Sequence, residues 1–139
     1  RNVVKVAEAM ERAPDYGVNF VVFSHELFRH VDEYLQSPER QAEIAALART
    51  AKKKGLDYWL WVHELDDIPA QFRSGKAAGG RVEFDDPALF VYLKQRYERL
   101  LDLNPGARGL ILTFHESGAR IFQNRTVSSR LSVPERIVK

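Results

Sequence analysis

The chain has 139 residues, 45% hydrophobic and 29% charged, with a formal charge of +2 and no cysteine. That length suits one hydrophobic core rather than two, and the basic residues are spread along it instead of gathered into the cationic face that nucleic acid requires. Without thiols there is no disulfide frame and no thiolate metal site; no run of about 18 apolar residues argues for a membrane span, and no signal-peptide pattern is visible, so the compartment stays open.

Val3, Val6, Ala7 and Met10 fall at helical spacing, and Pro14 and Gly17 stop the pattern. Val18-Asn19-Phe20-Val21-Val22-Phe23 then reads as a buried strand, rich in β-branched and aromatic residues. Ser37-Pro38-Glu39 opens a helix with a capping hydroxyl, a proline in the first turn and an acid near the positive end of the dipole. Ile44, Leu47, Ala48 and Ala51 form its apolar stripe, Lys52-Lys53-Lys54 a solvated cationic end, and Gly55 its stop. A second strand follows, Tyr58-Trp59-Leu60-Trp61-Val62. The polar stretch from Glu64 to Asp85 reads as a long functional loop. Asp86-Pro87 opens another helix, with Leu89, Phe90, Leu93, Tyr97, Leu100 and Leu101 on one side, and Asn104-Pro105-Gly106 closes it. The third strand is Leu110-Ile111-Leu112-Thr113-Phe114, followed by a loop from Glu116 to Leu131 and a capping box at Ser132-Val133-Pro134-Glu135.

Helices alternating with strands that are apolar on both sides predict an α/β fold, a parallel sheet with right-handed crossovers. The helix start at Ser132 leads us to expect one partial domain over 1–139, about half of a (β/α)8 barrel of roughly 250 residues, with further parts of the barrel before and after it. A small doubly wound domain is the alternative.

Three of the 4 histidines precede a glutamate: His25-Glu26, His63-Glu64 and His115-Glu116, each at the end of an apolar run. Parallel α/β folds bind ligands at the carboxyl ends of their strands, so the three pairs are expected to share one rim. Alternation along the strands assigns Phe20, Val22, Tyr58, Leu60, Val62, Leu110, Leu112 and Phe114 to the helix-covered face. It assigns Asn19, Val21, Phe23, His25, Trp59, Trp61, His63, Ile111, Thr113 and His115 to the barrel interior. Tryptophans beneath a ring of polar groups suit a sugar. A glutamate among aromatics suits a general acid, one of the two carboxylates that glycoside cleavage needs. Glu116 is the first candidate, with Glu64, Asp66, Asp67 and Glu26 behind it. The same residue types also suit a divalent metal, with Glu64, Glu116, His115 and His63 as ligands of a sugar isomerase or epimerase.

The segments "YGVNFVVFSHE", "AKKKGLDYWLWVHELDDIP" and "RVEFDDPALFVYLKQRYERLLDLNPGARGLILTFHESG" resemble the catalytic barrel of α-glucuronidases and related glycoside hydrolases over roughly Val18 to Gly118. The resemblance rests on the "DP" helix opening, the helix end and a strand finishing in an acidic turn. It implies that the third strand corresponds to barrel strand four, whose terminal glutamate is the general acid in that clan; Glu116 stands in the matching place. His115 replaces the usual asparagine, and "ESG" is one residue out of step with the glucuronidase "SEG". A uronic acid would call for a cation, and Arg120 or Arg125 is the candidate. The expected function is therefore glycoside hydrolysis. Glu116 and Glu64 would be catalytic, and His25, Glu26, Trp61, His63, His115 and Arg120 would contact a carbohydrate. No cofactor or resident metal is called for. A non-catalytic sugar-binding barrel is a further alternative, and the oligomeric state stays open.

Overall fold

The computed structural model describes residues 3–28, 30–63, 68–74 and 81–113. In chain order they form α1 (Val3–Arg12), a 3-10 turn (Ala13–Tyr16), β1 (Phe20–Phe23), α2 (His25–Phe28), α3 (Val31–Gln36), α4 (Pro38–Lys53) and β2 (Asp57–His63). A second 3-10 turn (Ala70–Phe72), β3 (Arg73–Ser74), β4 (Arg81–Val82), α5 (Pro87–Asp102) and β5 (Leu110–Thr113) follow. The fold is α/β: β1, β2 and β5 make an open, wholly parallel sheet in the order β1-β2-β5.

Local chemistry sets the helix limits. Ser37 accepts from the Arg40 amide at 3.3 Å as the N-cap of α4, with Pro38 in the first turn. At the other end Gly55 has φ 68, which a Cβ would disfavour. There the Leu56 amide reaches back to the Ala51 carbonyl (2.9 Å) and the Gly55 amide to that of Lys52 (3.2 Å), a Schellman closure that satisfies the orphan carbonyls. Asp86 caps α5, its carboxylate accepting from the Ala88 amide at 2.8 Å. The Gln41 side chain donates to the carbonyls of Tyr34 (3.2 Å) and Leu35 (3.1 Å), tying the end of α3 to the start of α4.

The core lies on one face of the sheet. Phe23, Tyr58, Leu60 and Val62 are buried there, with Val21, Leu110 and Leu112 beside them, against Met10 of α1, Leu27 of α2, Tyr34 of α3, Ile44 and Leu47 of α4 and Leu100 of α5. Phe23 stacks on Tyr58 with ring centroids 4.8 Å apart. The register pairs Val21 with Tyr58 and Phe23 with Leu60, and directly paired parallel residues point to the same side. This corrects the face assigned to β1 from its alternation: Val21 and Phe23 meet the helices, and Phe20 and Val22 join Trp59, Trp61 and Ile111 on the other side. Phe-Val-Val-Phe has no polar residue to mark its faces, and alternation extended as far as His25 puts them on the wrong sides. The chain leaves the strand before that, because Ser24 caps α2 by accepting from the Glu26 amide at 3.3 Å.

A second correction concerns the stretch between β2 and α5. It is not a plain loop: β3 and β4 pair antiparallel, and Ile68, Phe72, Val82 and Phe84 bury themselves against Leu89 and Leu93 of α5. The Arg73 guanidinium Nε anchors this unit by donating to the Ile68 carbonyl at 2.8 Å. No helix among the described residues is long and apolar enough to cross a membrane.

Two buried phenols sit near the amino ends of the strands. Asn104, itself buried, donates to the Tyr34 hydroxyl at 3.0 Å, and the Gly106 amide donates to that of Tyr58. Burial raises both phenols above the usual tyrosine range, and these hydrogen bonds offset part of the rise. A raised phenol favours the fold fully below its unfolded value of about 10 and loses that advantage as pH climbs through the folded value. Stability measured by urea unfolding should therefore hold from pH 8 to 9.5 and fall between pH 10 and 11. Tyr34→Phe should flatten that fall.

Candidate functional site

The three strands run side by side in one direction, as the sequence led us to expect of a parallel sheet, so their carboxyl ends lie at one rim. The rim is staggered. Phe23, the last residue of β1, is level with Leu60, whereas β2 continues to His63, level with Thr113 at the end of β5.

The helix-free face leads up to this rim. Phe20 is 55% exposed and Trp59 37%, with Val22 and Ile111 also open, so among the described residues nothing covers a broad apolar surface. Trp59 lies close over Gly109: a Cβ there would stand 2.7 Å from the indole ring, so any larger residue would push the indole aside. One pair further along, the Trp61 indole N–H donates to the Thr113 hydroxyl across the two strands. His63, next on the same face of β2, is half-buried, its ring centroid 6.2 Å from that of Trp61 at 58°. The donor bond ties the half-buried indole to β5, and an indole beside an imidazole suits a flat, partly apolar ligand that also takes hydrogen bonds.

Of the residues singled out in the sequence, Trp61 and His63 come together here. Thr113, placed on this face by its alternation but given no role, turns out to hold Trp61; a lone hydroxyl in an otherwise apolar strand was the signal. His25 and Glu26 belong to the first turn of α2 rather than to a strand, with Glu26 exposed. Glu64, Asp66, Asp67, His115, Glu116, Arg120 and Arg125 lie outside the described residues. Among the described residues no three His, Asp or Glu side chains gather closely enough to hold a metal ion.

A charged group missed in the sequence lies away from the rim. Arg96 sits on the buried stripe of α5 between Leu93 and Leu100, 3% exposed. Its Nε is 3.4 Å from Asp32 Oδ1 of α3, and Tyr92 donates its hydroxyl to the other oxygen of that carboxylate. This is a link between helices rather than part of the rim.

No protein-family model matches the chain, and no curated protein matches it.

Proposed function

We propose that this chain forms part of a (β/α)8 barrel in a carbohydrate-active enzyme, a glycoside hydrolase of the α-glucuronidase kind, with Glu116 as general acid. One observation carries the reading. The three strands of the main sheet lie parallel in sequence order, every helix packed on it among the described residues lies on one face, and the other face is lined with aromatics that lead to His63 at the carboxyl rim. Doubly wound sheets take helices on both faces, whereas barrel strands take them outside only. The open edges of β1 and β5 are where further strands would add, and closure would turn Trp59 and Trp61 inward beneath the rim.

In this mechanism a sugar ring stacks near Trp61 with its hydroxyls toward His63, His115 and the α2 turn carrying His25 and Glu26. Glu116 protonates the departing glycosidic oxygen, and Glu64, which follows His63 in the chain, is the candidate second carboxylate. Arg120 pairs with a uronate carboxylate where the substrate has one.

The test is hydrolysis by the full-length protein across aryl and natural glycosides, uronosides included. Glu116→Gln is expected to lower kcat about 10²–10⁴-fold on natural substrates, and far less on a dinitrophenyl glycoside, whose leaving group needs no proton. Unchanged rates for Glu116→Gln on both would overturn the assignment of the acid. Activity abolished by a chelator and restored by a divalent ion would favour the isomerase class instead.

A further inference from the structure

At the opposite end of the sheet, the amino ends of β2 and β5, a groove of about 590 Å³ opens between the last turns of α4 and the segment joining α5 to β5. Its floor is apolar, made by Ala48, Leu56, Tyr58 and Ala107, and its α4 edge carries Arg49 and Lys52. The volume is that of a small organic ligand.

The charges around it are unbalanced. Lys53 and Lys54, on the side of α4 toward α1, both reach Glu11, Lys54 at 2.5 Å and Lys53 at 4.0 Å. Arg49 and Lys52 face the groove and make no ion pair among the described residues. Asp57, the single acid in the lining, is engaged by Arg108, whose Nε donates to its carboxylate at 2.9 Å. The lysine run that reads as one solvated helix end thus divides by function: two members tie α4 to α1, and the third joins Arg49 above an apolar floor.

The walls are also preformed. The Arg108 amide donates to the Tyr58 carbonyl at 2.8 Å and the Ala107 amide to the Asn104 carbonyl at 2.9 Å, while Asn104 donates to the carbonyl of Leu100. Little ordering cost is left for a ligand to meet.

We propose that this groove binds a small organic carboxylate with an apolar body, its ring or chain on Leu56 and Tyr58 and its carboxylate between Arg49 and Lys52. The groove stands apart from the rim, at the other end of the strands.

The experiment is calorimetric titration of the chain with 1-naphthoate, and with neutral 1-naphthamide as the uncharged counterpart. Naphthoate should bind saturably at one site, more tightly than the amide and more weakly as salt rises. The double variant Arg49→Glu/Lys52→Glu, both positions solvent-exposed, should weaken it by about tenfold or more with an unchanged circular dichroism spectrum, while Arg49→Lys/Lys52→Arg should keep it. Phe20→Ser, on the far face and 55% exposed, should leave it unchanged. No binding at millimolar naphthoate, equal binding of acid and amide, indifference to the charge reversal, or loss of binding in Phe20→Ser would each overturn the proposal.

Discussion

Replacing Asp32 by alanine is expected to cost the fold about 3–5 kcal/mol, the range for a buried ion pair that loses one partner. The effect is asymmetric, because the two charges are buried unequally. The Arg96 side chain is 2% exposed and that of Asp32 31%, so removing the carboxylate takes the ion-pair partner from a guanidinium buried between Leu93 and Leu100. Removing the guanidinium leaves a carboxylate that still meets solvent and still accepts from Tyr92. Arg96→Met, which keeps an unbranched side chain of similar reach, should therefore be far milder, and replacement of buried pairs by apolar residues is often neutral. In the double variant the cost of Asp32→Ala should largely disappear, a coupling that urea unfolding of the three variants measures directly. An Asp32→Ala cost below about 1 kcal/mol would mean that the arginine finds water and that α3 and α5 are not joined through it. Given typical total stabilities of about 5–15 kcal/mol, the expected loss is a large share of the whole.

The second large effect contrasts neighbours on the central strand. Leu60 is 0% exposed beneath the helices, and Leu60→Ala should cost about 2–5 kcal/mol through lost transfer energy and the cavity left behind. Trp59, one residue earlier, lies on the open face, so in the chain alone Trp59→Ala should cost less than Leu60→Ala despite the larger side chain. Barrel closure would reverse that ranking. Inside a closed barrel Trp59 becomes core, and its truncation should rise to about 3–5 kcal/mol in the full-length protein. A modest cost in both forms would leave the face bare and remove the support for a barrel. Denaturation of both variants in both contexts reads the difference.

The helix-free face also bears on handling of the chain. Among the described residues Phe20, Val22, Trp59 and Ile111 form an apolar surface beside two strand edges that pair with nothing further, the combination that favours association. A closed barrel removes both hazards at once, because closure pairs the edges and buries the face. The groove beneath α4 lies at the other end of the strands, away from both the rim and this face.

Local punctuation and periodicity were legible before any coordinates. Ser37-Pro38 and Gly55 bounded α4 because capping and left-handed closure depend on residues only a few positions apart. Alternating apolar strands and amphipathic helices gave the parallel α/β sheet, because buried strands and crossovers each leave a compositional mark. The Trp59, Trp61 and His63 set was readable because β2 alternates tyrosine, leucine and valine with tryptophan and histidine, and a period of two cannot be hidden in such a strand. Pairing across the sheet was needed for the rest. The face of β1 was undecided within Phe-Val-Val-Phe and was set by register against β2. The burial of Arg96 depended on Asp32, 64 positions earlier in the numbering. The β3–β4 unit depended on Phe72 and Phe84 finding Leu89 and Leu93, and the two roles of the lysine run depended on where Glu11 lies. Short-range order is written in neighbouring residues, whereas the partner of a charge or the side of an all-apolar strand is decided by residues far away along the chain, which only the packed fold brings together.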